Sequence, residues 1–273
     1  MPVPGLTFVP DPEAIDQYVA LGAVLAPGSI YRGISKLEPG TALELRAVGE
    51  PRLTRYWRLQ PTLRSDLDEN GWIEECRTRL LATVKSHLIA DVPLGAFLSG
   101  GLDSAAVVAA MNRLGASPVH AFTIGFADPR YDETAAAARV AAHLGCRHEI
   151  HRLEPLAAAE ILPRLATAFD EPFADDSAMP TWYVSRFARQ QVTVALSGDG
   201  GDELFAGYRR HRAERLLQRL RRVPGSGALL AALARLPSLP ALPGRRRRDR
   251  LARLAADSAL DSTFARFFAK QCT

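Results

Sequence analysis

Two glycine-rich segments carry most of the residues whose types could do chemistry. The first segment, residues 99–104 (SGGLDS), lies between a short apolar stretch and an alanine-rich helical pattern. Its two glycines let a ligand approach the backbone closely, and the helix that follows offers free N–H groups and the positive end of its dipole. Ser99 and Ser104 add hydroxyl donors. The first segment therefore predicts a cradle for a phosphate group.

Asp103 places a carboxylate inside this predicted cradle. It would repel a phosphate unless a divalent cation lay between them, and Mg²⁺ accepts one or two carboxylates together with phosphate oxygens. The lysine of the pattern GxxxxGK[ST] is absent, which argues against the usual P-loop NTPase. The structural alternative is a glycine-rich strand-to-helix turn in which Asp103 caps the helix.

The second segment, residues 197–203 (SGDGGDE), also follows a short apolar stretch. Asp202 is a candidate second magnesium ligand. Asp199 is the candidate catalytic residue, which would contact an activated acyl intermediate or position the nucleophile. The alternative is a structural or calcium-like acidic turn, although the EF-hand spacing is not matched.

The elements around these segments must bring them together. Apolar and helical periodicities alternate, which predicts an α/β fold with a doubly wound, mostly parallel sheet covered by helices on both faces. The carboxyl ends of parallel strands share the edge where ligands bind, so Leu98, Ile124 and Ser197 should converge. Strands are predicted at residues 93–98, 119–126, 146–151 and 192–196, and helices at 72–91, 105–114, 131–144, 155–169 and 181–190.

The residues before and after this alternating region show different sequence patterns. A helix is predicted from the Asp11 cap to a stop at Gly22, and residues 41–46 and 52–59 alternate like paired edge strands. Residues 209–253 hold 14 arginines against two acids, in helical patterns broken by prolines. We therefore divide the chain into an N-terminal β-containing part (1–60), a linker (61–71), a domain that contains both glycine-rich segments (72–211) and a helical, arginine-rich C-terminal part (212–273).

The order of the motifs resembles the glutamine-hydrolysing asparagine synthetase family. Residues 99–104 resemble the PP-loop of N-type ATP pyrophosphatases, and FTIGF at 122–126, AAHLG at 141–145 and SGDGGDELFAGY at 197–208 follow in the family's order. The resemblance covers residues 72–211, and residues 11–60 resemble the end of the family's glutaminase domain. It implies the PP-loop ATP pyrophosphatase fold, which is HUP-like, in a chain truncated at both ends.

The resemblance also implies a reaction and its site residues. The β-carboxylate of aspartate attacks the α-phosphate of ATP, which gives β-aspartyl-AMP and pyrophosphate, and ammonia then displaces AMP. ATP is a substrate, Mg²⁺ is a cofactor held by Asp103 and Asp202, and Asp199 stands where the family commonly has glutamate. The implied ATP-binding residues are Leu98, Ser99, Gly100, Gly101, Leu102, Asp103, Ser104, Ile124, Ser197 and Gly198.

Two departures from the family pattern limit the expected activity. Pro2 stands where the family has its glutaminase cysteine, so we expect no glutamine hydrolysis by this chain. The family's downstream catalytic lysine has no match, and Lys270 is the only late lysine. We therefore expect a chain that is weakly active or inactive alone.

Other readings remain open on the sequence. A related PP-loop amidotransferase or a β-lactam synthetase-like ligase would act on another carboxylate. A catalytically dead polyanion-binding module would use residues 209–253, but no aromatic interleaving accompanies the arginines, which disfavours nucleic acid as a partner. His148 and His151 should face opposite sides of one strand, which disfavours a histidine metal site.

Composition limits the cellular compartment and the classes of partner that we expect for the chain. Three distant cysteines exclude a disulfide framework, and no apolar run reaches the roughly 20 residues that a membrane span needs. We expect a cytoplasmic protein without a membrane partner, acting on aspartate, ATP and ammonia, and a homodimer stays open.

Overall fold

The computed structural model describes residues 5, 7–62, 66–116, 118–153, 157–208, 211, 214–215 and 218–219. The predicted arginine-rich part at 212–273, with Lys270, lies outside the described residues except for 214–215 and 218–219. Contacts divide the chain into two units, of which one comprises Ser35–Gly201 and the other holds the residues up to Ile34 and those from Asp202 onward. Within the described part, no helix is long and apolar enough to cross a membrane.

The described part of the chain forms seven helices and six strands. They are, in chain order, α1 (Pro12–Leu21), β1 (Thr41–Glu44), β2 (Arg52–Arg55), α2 (Glu69–His87), β3 (Leu94–Phe97), α3 (Leu102–Arg113), β4 (His120–Gly125), α4 (Thr134–Leu144), β5 (Arg147–Arg152), α5 (Ala157–Ala168), α6 (Ala178–Ala188), β6 (Val194–Leu196) and α7 (Gly201–Phe205).

Four of these strands form one parallel sheet in the order β5-β4-β3-β6. The chain builds outward from β3 through β4 to β5, and then returns to place β6 on the other side of β3. This reversal is the switch point at which ligands bind in open α/β sheets. The predicted doubly wound α/β fold is therefore confirmed, with the carboxyl ends of all four strands at one edge.

Alternating side chains of the strands bury both faces of the sheet. On one face, Ala96 and Ala121 pack in a cluster that includes Val108 and Met111 of α3. On the other face, Phe122 is fully buried in a second cluster, against α6, with its ring 5.7 Å from that of Phe187 in an edge-to-face arrangement. Helices on both faces explain why the inner strand β3 (LGAF) is wholly apolar, whereas the edge strand β5 (RHEIHR) is mostly polar.

Outside the sheet, the predicted start of α1 and the predicted hairpin are confirmed. The Glu13 N–H donates to the Asp11 carboxylate over 3.2 Å, and α1 ends at Gly22, whose φ is 77°. Strands β1 and β2 pair antiparallel, although they end at Glu44 and Arg55, earlier than the periodicity suggested. Helix α2 begins three residues before its predicted start because the Asp68 carboxylate accepts the Gly71 N–H and caps it.

Gly95 tests how tightly the sheet is packed at β3. A Cβ there would lie 2.8 Å from the His120 carbonyl oxygen and 2.9 Å from a ring carbon of Phe122, neither of which can move easily. We expect Gly95→Ala to lower the free energy of unfolding by about 1–3 kcal/mol, measured by urea denaturation.

Gly71→Ala is the matched control. The nearest atoms to its added Cβ are the Asp68 carboxylate and Leu67 side chain, at 3.1 and 3.2 Å. Both are side-chain atoms that need to shift by only a few tenths of an ångström, which leaves the Asp68 carboxylate within reach of the N–H that it caps. Alanine also favours the helix, so this variant should keep or raise stability. Equal stability of Gly95→Ala and the unsubstituted chain would contradict the packing argument.

Candidate active site

The first glycine-rich segment bridges the end of β3 and the first turn of α3. Gly101 is the N-cap of α3, with φ −80° and ψ 159°, and no side chain caps the helix. Asp103 and Ser104 therefore lie in the first helical turn. The alternative in which Asp103 caps the helix is wrong, because Gly101, with its extended backbone, is the N-cap and α3 begins at Leu102, three residues before its predicted start. An acidic side chain in a first turn is favoured by the helix dipole.

The two serines of this segment bond to the segment itself. Ser104 is buried, and its Oγ lies 2.9 Å from the Ser99 Oγ and accepts the Ser99 N–H over 3.1 Å. The Ser99 Oγ in turn accepts the Gly101 N–H over 3.0 Å. These hydroxyls fix the backbone of the predicted cradle, and their direct contact with a phosphate stays a prediction.

The carboxylate of Asp103 has no hydrogen bond or ion pair within the described residues, so it is open to an incoming group. A carboxylate oxygen is a ligand that Mg²⁺ prefers, and the positive end of α3 favours anions beside it. The donor chemistry therefore fits the predicted magnesium. The described residues contain no cluster of three or more histidine, cysteine or acidic side chains that could hold a metal alone.

The second glycine-rich segment meets the first at Gly198 and Gly201. A Cβ on Gly198 would lie 2.6 Å from the Ser104 backbone nitrogen and 2.9 Å from the Asp103 carbonyl carbon. A Cβ on Gly201 would lie 2.5 Å from the Asp103 carboxyl carbon. At position 198 only glycine fits, because backbone meets backbone there, whereas the neighbour of Gly201 is the Asp103 side chain. The expected convergence of the two strand ends is therefore confirmed.

Asp199 and Asp202 occupy different settings in the second segment. The Ser197 hydroxyl donates to the Asp199 carboxylate over 2.9 Å, so the neighbouring serine holds this exposed acid. Asp202 lies in the first turn of α7, a short helix that the sequence did not predict. The roles of Asp199 in catalysis and of Asp202 in metal binding stay predictions.

Glu133 contacts the first segment and was missed in the sequence. The Gly100 N–H donates to the Glu133 carboxylate over 3.1 Å, at the N-terminus of α4. The neighbouring Asp132 accepts the Phe126 N–H over 3.2 Å and the Thr134 hydroxyl over 2.8 Å. The Thr134 hydroxyl chiefly lowers the pKa of the Asp132 carboxyl below its usual range. These acids tie the first segment and the end of β4 to α4.

A second missed group lies under Leu98. The Thr123 hydroxyl donates to the Leu98 carbonyl oxygen over 2.6 Å, and His148 Nε2 lies 2.7 Å from the same hydroxyl. Thr123 and Leu98 are only 3% and 2% exposed. His151, three residues beyond His148 on β5, stacks on Phe187 of α6 instead, with ring centres 5.1 Å apart. The prediction that the two histidines face opposite sides of the strand is confirmed.

Stability should depend on pH through His148. Burial lowers the pKa of its imidazole below the ordinary value of a free histidine. The unfolded chain therefore takes up the proton first as the pH falls, and His148 contributes stability above its unfolded pKa that is lost as the pH falls through its folded pKa. We expect the unsubstituted chain to lose stability between about pH 7.5 and about pH 5 in urea unfolding.

His148→Gln is the matched variant because glutamine keeps an N–H donor for Thr123 and carries no titrating proton. It should lose less stability over the same pH interval. The same pH dependence in both proteins would show that His148 does not carry the effect.

The comparisons with known proteins match this region of the chain. Residues 75–271 match the asparagine synthase family. A Methanocaldococcus jannaschii protein, named as a candidate glutamine-hydrolysing asparagine synthetase 2, is 39% identical over 78% of this chain and 41% of its own length. Glutamine-hydrolysing asparagine synthetase 1 of Bacillus subtilis is 33% identical over 78% of this chain and 34% of its own length. The chain thus spans less than half the length of these relatives.

Among solved structures, the NH3-dependent NAD synthetase of Campylobacter jejuni, in complex with nitrate, aligns with a TM-score of 0.35 and 16% identity. That alignment covers 50% of this chain and 60% of the synthetase chain. The family match covers most of this chain and includes both glycine-rich segments. The chain belongs to the asparagine synthase family.

Proposed function

We propose that this chain uses ATP to activate the side-chain carboxylate of aspartate and then transfers ammonia to it, which makes asparagine. The observation that supports this most is the approach of Gly198 to the backbone of Asp103 and Ser104. It places a second chain segment against a helix N-terminus, beside a carboxylate that suits Mg²⁺. Family membership supplies the reaction class, and the relatives' names describe glutamine-hydrolysing asparagine synthetases.

The first step joins the carboxylate to the nucleotide. A carboxylate oxygen of aspartate attacks the α-phosphorus of ATP, the bond from that phosphorus to the bridging oxygen breaks, and pyrophosphate leaves. Free N–H groups in the first turn of α3 would hold the departing pyrophosphate. Bound Mg²⁺, held by Asp103 and Asp202, would neutralise part of the pyrophosphate charge.

The adenosine would lie along the strand ends. We assign its backbone contacts to Leu98 and Ile124, and further ATP contacts to Ser197 and Gly198. Adjacent parallel strands bring β4, β3 and β6 to one edge, which supports a nucleotide lying across them. The remaining ATP contacts are assigned to residues 99–104.

The second step needs a nucleophile beside the acyl carbon. Ammonia attacks the carbonyl carbon of β-aspartyl-AMP, the bond to the AMP oxygen breaks, and the attacking nitrogen releases a proton. We assign Asp199 to this step, because its carboxylate is exposed and held by Ser197. An exposed carboxylate can orient ammonia and accept its proton. The cytoplasm would supply ATP, aspartate and ammonia.

Asp103→Ala tests the assignment of the magnesium ligand. The substitution removes a carboxylate and leaves the backbone of α3 in place, and alanine suits a helix. We expect binding of Mg·ATP to weaken at least about tenfold, measured by calorimetric titration, with a small change in stability.

Asp91→Ala removes an exposed acid from the same compact unit and serves as the control. It should bind Mg·ATP as the unsubstituted chain does. Unchanged affinity in Asp103→Ala would contradict the metal assignment.

Exchange of labelled pyrophosphate into ATP tests which carboxylate substrate the chain activates. Exchange reports the first step alone and requires no ammonia, so it separates activation from amidation. We expect exchange that depends on both Mg²⁺ and aspartate. Exchange with glutamate or a β-amino acid, but not with aspartate, would favour the alternative ligase on another carboxylate. Because the sequence predicts a chain that is weakly active or inactive alone, slow exchange with aspartate agrees with the proposal. A chain that neither exchanges pyrophosphate with any carboxylate nor binds Mg·ATP would contradict it.

A further inference from the structure

We propose that Thr123 is a positioning residue for the ATP-binding segment, because its buried hydroxyl, oriented by His148, fixes the peptide group at which that segment begins. Neither residue belongs to the two glycine-rich segments. Both lie in the sheet, on β4 and β5. That Thr123 matters for ATP binding rests on the proposed function. That Thr123 fixes the peptide group rests on the hydrogen bonds of the sheet alone.

Donor counting fixes the direction of the two hydrogen bonds. A hydroxyl has one hydrogen, and a carbonyl oxygen can only accept. The Thr123 hydroxyl must therefore donate to the Leu98 carbonyl oxygen, at 2.6 Å. It then accepts from His148, which places a hydrogen on Nε2, 2.7 Å away. The two hydrogen bonds therefore link His148 on β5 to Thr123 on β4, and Thr123 to Leu98 just after β3.

The peptide group between Leu98 and Ser99 is held at both ends. Its carbonyl oxygen accepts from Thr123, and its N–H, on Ser99, donates to the Ser104 hydroxyl over 3.1 Å. The Leu98 N–H is also used, since it donates to the Phe122 carbonyl over 2.9 Å. The backbone therefore enters the first segment in one orientation, set by side chains from β4 and α3.

Burial makes the Thr123 contact hard to replace. Thr123 and Leu98 are only 3% and 2% exposed, so water has little access to the Leu98 carbonyl. A buried carbonyl that loses its donor is left unsatisfied, which costs more than a solvated bond would. The peptide would rotate to find another donor, and the N–H groups after it would turn away from the phosphates. Errors of about 1 Å in such groups have large effects on catalysis.

Two substitutions at Thr123 separate positioning from packing. Thr123→Val keeps the shape of the side chain and removes the hydroxyl, whereas Thr123→Ser keeps the hydroxyl and removes a methyl group. With the full chain, we expect Thr123→Val to bind ATP about tenfold more weakly in calorimetry. Thr123→Ser should restore affinity to within about twofold.

Val119→Ala is the control for lost packing, because Val119 is buried just before β4, at the opposite end of that strand from the site. It should bind ATP normally. Normal binding by Thr123→Val would overturn the inference. Equal weakening in Thr123→Val and Val119→Ala would also overturn it, since general loss of packing would then be the cause.

His148 is tested in the same way. His148→Leu removes the donor to Thr123, and His148→Gln supplies an amide N–H in its place. We expect weaker ATP binding only in His148→Leu, by less than in Thr123→Val because the Leu98 carbonyl keeps its donor. Normal binding by His148→Leu would remove the histidine from the inference and leave Thr123 acting alone, which contradicts the proposal as stated.

Hydrogen exchange without ATP separates this inference from the proposed function. Thr123→Val should speed exchange of the Ser99 amide, because its peptide group is no longer held at the carbonyl, while Thr123→Ser should not. If the unsubstituted chain fails to bind ATP, the proposed function is wrong, and exchange still decides whether Thr123 holds the segment. Unchanged exchange in Thr123→Val would overturn the inference whatever ATP does.

Discussion

The parallel register of β3 determines where the site can form. Ala96 of β3 lies opposite both Ala121 of β4 and Leu196 of β6, so all three strands leave the sheet at one edge. The segments that follow β3 and β6 then have to pass each other within backbone contact. Gly198 makes this contact sterically permissible, since any Cβ would overlap the Ser104 nitrogen. The glycines are thus required first by the register of the sheet, and the proposed ATP would use the space that they leave.

The turn between the sheet and α3 depends on side-chain hydroxyls for some of its backbone hydrogen bonds. The turn between β3 and α3 has peptide groups that neither the sheet nor the helix satisfies. Thr123, Ser104 and Ser99 bond to these groups, so the turn is held before any ligand arrives. Binding then costs less ordering of the chain than a loose turn would require. The hydroxyls thus shape the site before ATP makes any of the contacts proposed for residues 99–104.

Sequence patterns predicted the elements well, because apolar periodicity and local stops determine them. The four strands and the helices between them fall within a few residues of their predicted positions, and the Asp11 cap and Gly22 stop of α1 are in place. Contacts that depend on strand register were missed. Thr123 and His148 meet Leu98 only because three strands from distant parts of the chain align, and no local pattern records that alignment. Glu133 was missed because its contact joins the N-terminus of α4 to a turn 33 residues earlier in the chain.

The position of Asp103 in a helical turn links the architecture to the chemistry. The first turn of a helix carries partial positive charge, which stabilises a carboxylate there and also attracts phosphate. The partial positive charge at the N-terminus of α3 therefore attracts both the carboxylate and a phosphate. It cannot hold the two side by side on its own, because the two anions repel each other. A divalent cation between them removes the repulsion and uses the carboxylate as a ligand. Helix α3 thus places the Asp103 carboxylate where binding of a polyphosphate and binding of Mg²⁺ should be mutually dependent. The approach of Gly201 to the Asp103 carboxyl group would restrict where the proposed Mg²⁺ could lie.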